Sequence, residues 1–472
     1  VTSLISPLWR FLVTDLDGKG ITLLDSLASD RMVTPKLSEP LEVSGTVPSD
    51  SDYVNRVHTD GFPLLAEGVR QLYCFRREED TPPYYTPRAS ALIMQVDDAS
   101  HSDDARSRFT AWDPWQYLFS RPVLQSALAT VGDKQGVTGD LITSANMLYP
   151  ATMTADEIVT DILFVMLSSG DVTAPAAALQ GFVDWGLSGF YTGTIETCAK
   201  FDAHPPEDKG GFPIQQFTSV GQALLDLVST GYLDLVFEPI YDPISRPGLL
   251  CQLSIYSQTV DDGTGEIIKL GAGTYRYSAV FAWDRPGRSM VGVDNLFDGV
   301  GRANRIQYFN GQGGPPVYRL GPPAKVPIAD AASIATYGEY WTQQAFPAAT
   351  QAVAIRAVAG LQLALRKTFK ETLTVNPAPE RSPEPFVDYY LGDGVRVFVS
   401  DNMRQDLTGW QRIYGIPVEI DDNGVETVRE LLVGPIGEPP PVGEIVTEFI
   451  QSTVGANRLS RTTNRTGAVG AL

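Results

Sequence analysis

Residues 385–433, PFVDYYLGDGVRVFVSDNMRQDLTGWQRIYGIPVEIDDNGVETVRELLV, constrain the fold of this chain more than any other stretch. Val395, Val397 and Val399 alternate with Arg396, Phe398 and Ser400. Ile416, Val418 and Ile420 alternate with Pro417 and Glu419. Asp422-Asn423-Gly424 supplies a tight turn, and 428–433 reads as the returning strand. Period-two alternation closed by Asn-Gly is a strong hairpin signal. It predicts a small β-barrel or sandwich unit.

The same syntax occurs early in the chain. Glu67-Gly68-Val69-Arg70 opens a strand, and Leu92, Met94 and Val96 alternate before Asp97-Asp98. In the late stretch Asp393-Gly394-Val395-Arg396 opens the strand, and Ile416, Val418 and Ile420 precede Asp421-Asp422. Val69 to Val96 is 27 residues and Val395 to Ile420 is 25. These spacings predict two copies of one barrel in the chain. Three chains would then place six similar barrels in a ring. The alternative is a pair of ordinary hairpins with acidic turns, since two degenerate copies are weaker than a repeat array.

A chain of 472 residues is too long for one core and implies about three domains. Its 43 Gly and 34 Pro favour short strands and many turns. A net charge of −20 argues against a nucleic-acid-binding surface, which needs clustered Lys and Arg. It suits solubility, and also a surface that nucleic acid must pass without sticking. Cys74, Cys198 and Cys251 are odd in number and widely spaced, which gives neither a disulfide framework nor a zinc pattern. His58, His101 and His204 have no partner at metal-ligand spacing. The N-terminal VTSLISPLWRFLVTDL carries Arg10 in its apolar part and lacks a small-residue cleavage site, so it is a poor signal peptide. No apolar run reaches the length of a membrane span.

In chain order, residues 1–118 read as the first β-barrel, entered by a hairpin turning at Asp15-Leu16-Asp17-Gly18. Residues 106–112 form its last strand, and Asp113-Pro114 starts a helix. Residues 119–234 read as a mixed α+β insert. Thr154-Ala155-Asp156-Glu157 and Ser219-Val220-Gly221-Gln222 are capping boxes in front of apolar helices, the first stopping at Gly170. An exposed loop is expected over 203–211. Residues 235–372 form a β-rich segment with strands near 235–240, 249–256, 275–283 and 305–308. A long Gly- and Pro-rich connection and a helix over about 349–367 follow. Residues 373–436 supply the second set of barrel strands. Residues 437–472 are a linker stiffened by Pro439-Pro440-Pro441 and an extended arm carrying Arg458, Arg461 and Arg465.

The chain offers little catalytic syntax. Asp15-x-Asp17-Gly18 and Asp421-Asp422-Asn423-Gly424 look like fragments of calcium loops, but position twelve from Asp15 is Ser26, so turn chemistry is the better reading. Gly271-Ala272-Gly273 and Gly311-Gln312-Gly313-Gly314 lack the frame of a phosphate loop. No GxSxG or HExxH is present. Acidic pairs such as Asp261-Asp262 arise by chance among 56 acidic residues. Aromatics at Tyr84-Tyr85, 337–341 and Tyr389-Tyr390 suit packing better than sugar stacking. No metal, cofactor or catalytic residue is expected.

Several phrases carry a family resemblance. PLEVSGTVPSDSDYVN, EGVRQLYCFRRE, DPWQYLFSRPV, DLVFEPIYDPISRPG, VFAWDRPGRSMVGVDNLFDGVGRANRIQYFNG and LGDGVRVFVSD…RIYGIPVEIDDNG resemble the minor tail proteins of long-tailed actinobacteriophages. The last two also resemble the tail-associated or baseplate-hub proteins of other long-tailed phages. The likeness runs over most of 30–434. It implies a mainly β chain with an α+β hub insert, two tail-tube-like barrels and an extended C-terminal arm. It implies a homotrimer that closes the distal end of the tail with pseudo-sixfold symmetry and opens for genome ejection. Implied neighbours are the distal tail protein ring, the C-terminus of the tape measure protein, fibre or receptor-binding proteins, and DNA in passage. Some relatives carry a peptidoglycan-cleaving extension after the second barrel, and 437–472 is too short for one. The alternative reading is an envelope-binding or polysaccharide-degrading tail protein.

Overall fold

The computed structural model describes residues 8–24, 29–78, 85–99, 105–131, 134–142, 147–168, 192–198, 211–214, 218–231, 233–244, 251–260, 267–274, 279–283, 289–298, 302–309, 328–345, 363, 370–379, 381–399, 410–422 and 424–435. The helix expected over 349–367, apart from residue 363, and the loop over 203–210 lie outside these residues. So do Gly170, Tyr84, Asp261-Asp262, the 311–314 glycines and the arm with Arg458, Arg461 and Arg465.

The chain is mainly β, with a nearly closed barrel sheet. Nine strands build that sheet. They are β1 (Trp9–Thr14), β2 (Gly20–Leu23), β3 (Ser29–Thr34), β4 (Glu42–Pro48), β5 (Gln71–Arg77), β6 (Tyr85–Ala99), β7 (Arg106–Trp112), β24 (Val418–Ile420) and β25 (Glu426–Val428). Their order is β2-β1-β5-β6-β7-β4-β3-β24-β25. Alternation fixes which face is inside. Trp9, Phe11 and Val13 of β1 and Ser107, Phe109 and Ala111 of β7 are buried, while Arg106 and Arg108 are exposed.

A second sheet has six strands. They are β16 (Val280–Ala282), β17 (Met290–Asp298), β21 (Lys370–Pro377), β22 (Gly394–Phe398), β23 (Trp410–Gly415) and β26 (Leu431–Pro435), in the order β16-β22-β23-β26-β21-β17. Five strands of each sheet follow one path. β3, β4, β5, β6 and β7 lie as β5-β6-β7-β4-β3, and β17, β21, β22, β23 and β26 lie as β22-β23-β26-β21-β17. Every pairing within these sets is antiparallel. The outer strands differ, since β1 runs antiparallel to β5 whereas β16 runs parallel to β22. One hydrophobic core, from Trp9 to Val433, serves both sheets.

This arrangement revises the boundaries read from sequence. Residues 373–436 are not a self-contained barrel. Their sheet recruits β16 and β17 from upstream, and their hairpin β24–β25 belongs to the first sheet. Between the sheets in sequence lies the insert, with its own core. It holds a sheet of β8 (Thr130–Val131), β9 (Lys134–Gln135), β10 (Met147–Tyr149) and β12 (Phe212–Ile214). A second sheet holds β11 (Thr192–Ile195), β13 (Leu233–Pro239), β14 (Cys251–Val260) and β15 (Ile267–Leu270). The helices Ala155–Ser168 and Val220–Gly231 pack on these sheets. A small sheet of β18 (Arg305–Phe309), β19 (Ile328–Ala329) and β20 (Trp341–Ala345) follows the second sheet's β17 in sequence, with the short helix Ala331–Tyr337 between β19 and β20, and a further short helix, Asp52–Asn55, follows β4.

Helix starts follow the sequence signals. At the first capping box Glu157 Oε2 accepts from the Thr154 N–H at 2.9 Å, while Thr154 Oγ1 makes no hydrogen bond among the described residues, so only half of that box forms; at the second, Ser219 Oγ accepts from the Gln222 N–H at 3.2 Å. Asp113 Oδ1 accepts from the Trp115 N–H at 3.2 Å at the start of the helix Pro114–Phe119. Burial raises the Asp113 carboxyl to about 8, against the N–H groups of Leu41 and Trp115 and the charge of Lys36, which favour the anion. Below an ordinary carboxylate pKa of about 4 both folded and unfolded chains hold this proton; between there and about 8 only the folded chain does, so its stabilising contribution fades as pH rises. Asp113→Asn should therefore gain on the wild type between pH 5 and pH 8.5. Paired thermal melts check this, and a gap in Tm that stays constant with pH would contradict it.

Candidate functional site

For a chain with this architecture the informative site is the joint where the second barrel's hairpin enters the first. β23 and β6 bend at the same place. Ile93 pairs Ala111 and Gln95 pairs Thr110, leaving Met94 as a bulge. Ile413 pairs Val433 and Gly415 pairs Leu432, leaving Tyr414 as a bulge. Gly415 also sits tight on its partner strand, because an added Cβ would lie 2.9 Å from Leu432 Cδ1. Pro417 then removes a ladder donor, and the strand departs from its own sheet.

It runs along β3 instead. The Leu37 N–H donates to the Tyr414 carbonyl at 2.8 Å, and the Ile416 N–H donates to the Pro35 carbonyl at 3.0 Å. Val418 pairs Val33, Glu419 pairs Met32 and Ile420 pairs Arg31. Ile416, Val418 and Ile420 are buried in the shared core. Each such side chain contributes about 1.5–3 kcal/mol on burial. The turn closes as its sequence predicts: Gly424 has φ +76°, and the Val425 N–H donates to Asp421 Oδ1 at 2.8 Å.

Two arginines, Arg31 and Arg76, seal the joint, and a third, Arg412, ties the second sheet to the insert. Glu426 accepts from Trp9 Nε1 at 2.7 Å and from Arg76 at 2.6 and 3.0 Å, and Arg76 also reaches Glu384 at 2.7 Å. Burial alone would depress the Arg76 guanidinium, but Glu426 and Glu384 outweigh it and hold it above its ordinary value. Arg31 donates to the Asp421 carbonyl at 2.5 Å and lies over the Phe11 ring. Arg412 pairs with Asp234 of the insert, both fully buried, and also donates to the carbonyls of Gly392 and Leu270. The glycines of 271–273 belong to this contact. A Cβ on Gly273 would fall 1.9 Å from the Gly392 carbonyl oxygen. Close backbone approach, rather than phosphate binding, is their role.

The sequence-predicted residues are distributed as follows. Glu67 and Gly68 are exposed and Val69 half-buried in the turn before β5, with Gly68 at φ +71°. Val96 and Asp97 lie in β6, half-buried and exposed, and Asp98 follows in the same strand. Asp393 is buried, its carboxylate accepting from the N–H groups of Thr274 and Tyr390. Gly394 and Val395 lie inside β22, Ile420 ends β24, and Asp421 and Asp422 form the exposed turn. The hydrogen bonds put Gly392, φ +85°, in the place of Gly68. Gly68 N–H donates to Ile93 O and Gly392 N–H to Ile413 O, while Ile93 N–H donates to Arg70 O and Ile413 N–H to Asp393 O. Ladder register then sets Leu72, not Val69, against Val395.

A cleft of about 680 Å³ opens beside the hairpin, lined by both signs of charge, including Arg31, Arg108, Glu419 and Arg429. Glu419 is bridged to Arg429 at 2.8 Å. Among the described residues no cluster of His, Cys, Asp and Glu is arranged to hold a metal. The thiols of Cys74, Cys198 and Cys251 are buried, which pushes that of Cys198 up to about 12 and the others upward too. Reactive cysteines have the opposite shift. No described helix is long and apolar enough to cross a membrane.

No protein-family model matches the chain, and no curated protein sequence matches it. Among solved structures it is similar to a tail protein from Neisseria meningitidis MC58, at 12% identity and TM-score 0.46, covering 92% of this chain and 98% of that one. The 43 kDa tail protein of prophage MuSo2 from Shewanella oneidensis matches at 12% identity and TM-score 0.46, over 91% and 98%. Prophage tail protein gp18 from Listeria monocytogenes EGD-e matches at 9% identity and TM-score 0.42, over 94% and 98%. At these scores the overlaps carry no functional argument, which rests on the strand path and the joint.

The seal makes a testable demand. Glu426→Ala strips Arg76 and Trp9 of their shared acceptor at the barrel junction. Breaking a buried pair in this way costs about 3 kcal/mol or more, and Glu426→Gln, which keeps an acceptor for Trp9, should cost less. Urea denaturation checks both; equal, negligible shifts would contradict the role given to Glu426.

Proposed function

We propose that this chain is a structural tail protein of a long-tailed bacteriophage, a homotrimeric hub at the tail tip. The doubled strand path in one chain carries this reading. A sixfold tube of one-barrel subunits continues into three chains only if each chain supplies two barrels, and closed cyclic assembly is the ordinary way such a ring forms. The resemblance of residues 30–434 to minor tail proteins points the same way. In this reading the closed trimer narrows the tube until host contact, then opens as the tape measure protein and DNA leave. It resides in the virion, at the distal end of the tail, after synthesis in the host cytoplasm. Its neighbours are the distal tail protein ring, the tape measure C-terminus and fibre or receptor-binding proteins, with the 449–472 arm, bearing Arg458, Arg461 and Arg465, meeting an acidic partner surface.

The net charge of −20 fits a lumen along which DNA slides, because carboxylates repel its phosphates. The role is mechanical rather than enzymatic. It accords with carboxylates engaged in ion pairs and backbone bonds and with thiols held protonated.

A second reading has one observation in its favour. Tyr337 at the end of the helix Ala331–Tyr337, Tyr340 after it and Trp341 at the start of β20 are 43%, 44% and 48% exposed, with Arg302 and Arg305 against their rings. Such a platform can stack a sugar face. Binding of purified host-wall polysaccharide that is lost in Trp341→Ala would favour this envelope-binding role.

Light scattering on the purified protein tests the hub directly. The expected mass is three times 51.3 kDa, and the chain lacking 449–472 should remain three copies of its own smaller mass although it fails to enter tails. A monomer at every concentration, or normal tails from the truncated chain, would overturn the trimer or the arm respectively.

A further inference from the structure

Both barrels carry the same bent hairpin, yet among the described residues only one of the two is covered by a neighbouring barrel. The hairpin of the second barrel lies on β3 of the first, and along it Tyr414 is 5% exposed and Ile416 0%. The corresponding positions in the first barrel are Met94, which is 36% exposed, and Val96, which is half-buried. Gln95 and Asp97 beside them are exposed. Among the described residues, β5 stops pairing with β6 at Leu92, and no strand lies along the outer edge of β6 from Met94 to Ala99.

The second sheet holds the matching vacancy. β17 occupies the place that β3 holds in the first sheet, and it ends its sheet, pairing only with β21 among the described strands. The ladder equates individual residues. Val43 pairs Ala111, and Leu373 pairs Val433, so Val43 and Leu373 correspond; their partners Val33 and Asn295 then correspond too. An open edge of this length is a template for another strand, and folded proteins do not leave such edges bare without a device to blunt them.

We propose that the distal half of β6 in one copy pairs antiparallel with the outer edge of β17 in the next copy, repeating between chains the joint that β24 makes with β3 within a chain. The occupant is a second copy of this chain, because the chain already holds both halves of the joint and shows how they fit. The register follows from the internal joint, where Gly415 bridges Lys36 and Val418 pairs Val33. It sets Gln95 opposite Asp298, Val96 opposite Phe297 and Asp98 opposite Asn295. In this register no Asp of β6 faces an Asp of β17, and the Val96 N–H would donate to the Phe297 carbonyl as Ile416 does to Pro35. The contact is head-to-tail, so it propagates until the ring closes. It rests on the trimeric reading above and names the edges that make the trimer.

Paired cysteines test it. Gln95→Cys with Asp298→Cys in one chain should, on mild oxidation, give a non-reducing ladder that ends at three chains. Each single variant should stay uncross-linked, and Gln95→Cys with Leu296→Cys, two residues out of register, should cross-link far less. A double variant that is trimeric by light scattering yet gives no cross-link overturns the edge pairing and leaves the trimer standing. A monomer with no cross-link at any concentration overturns both. Hydrogen exchange on the unmodified protein guards against a misfolded variant: amides of 94–99 and 290–298 should slow on assembly, and unchanged exchange in a proven trimer overturns the pairing.

Discussion

The structure depends on a strand pairing between residues 385 positions apart, Val418 against Val33. Through it the hairpin of the second barrel completes the sheet of the first. The two sheets consequently share one core rather than touching as separate domains. The physical device is a bulge at Tyr414 followed by Pro417, which together turn the strand out of its own ladder. Burial of Ile416, Val418 and Ile420 then holds it in the other. The backbone groups released from one sheet are satisfied by Pro35 and Leu37 in the other, as buried backbone requires.

Around that pairing the polar contacts act as register marks. Buried ion pairs contribute little net stability, since desolvation offsets attraction. Breaking one is costly, so each penalises any other register. Arg76 with Glu426 fixes the hairpin against β1 and β5, and Arg412 with Asp234 fixes the second sheet against the insert. Gly273 and Gly392 allow the backbones at that second contact to meet. The same strand path, bulge and left-handed glycine occur in the first barrel, where among the described residues no neighbouring strand covers the bent hairpin. A doubled fold with one joint made and one joint open is what a subunit of a closed ring would present.

The local structure was legible in the sequence wherever a short-range rule operates. The Asp-Asn-Gly hairpin, the helix start at Asp113, both capping sites and strand β7 follow from alternation and capping chemistry. The destination of the hairpin was not legible, because alternation specifies a buried face without naming the sheet that buries it. β17 and β21 escaped notice: the first reads as a Gly-containing run and the second adjoins an expected helix. The repeated strand pattern was visible, but its alignment slipped, by three residues at Val395 and by four at Ile420. Gly394 follows an Asp as Gly68 follows a Glu, whereas the conformationally equivalent glycine is Gly392, which only the backbone angles and hydrogen bonds reveal. The joint was hidden for a related reason. Glu426 and Arg76 carry no local signature, and their pairing is a consequence of topology.

Electron microscopy of the purified assembly viewed down its axis tests the account most directly. Three chains with doubled barrels predict end-on averages showing six similar lobes around an opening, with threefold differences confined to the periphery. Averages with three lobes, or single particles of one chain's size, would contradict the claim that the two barrels are equivalent parts of one ring.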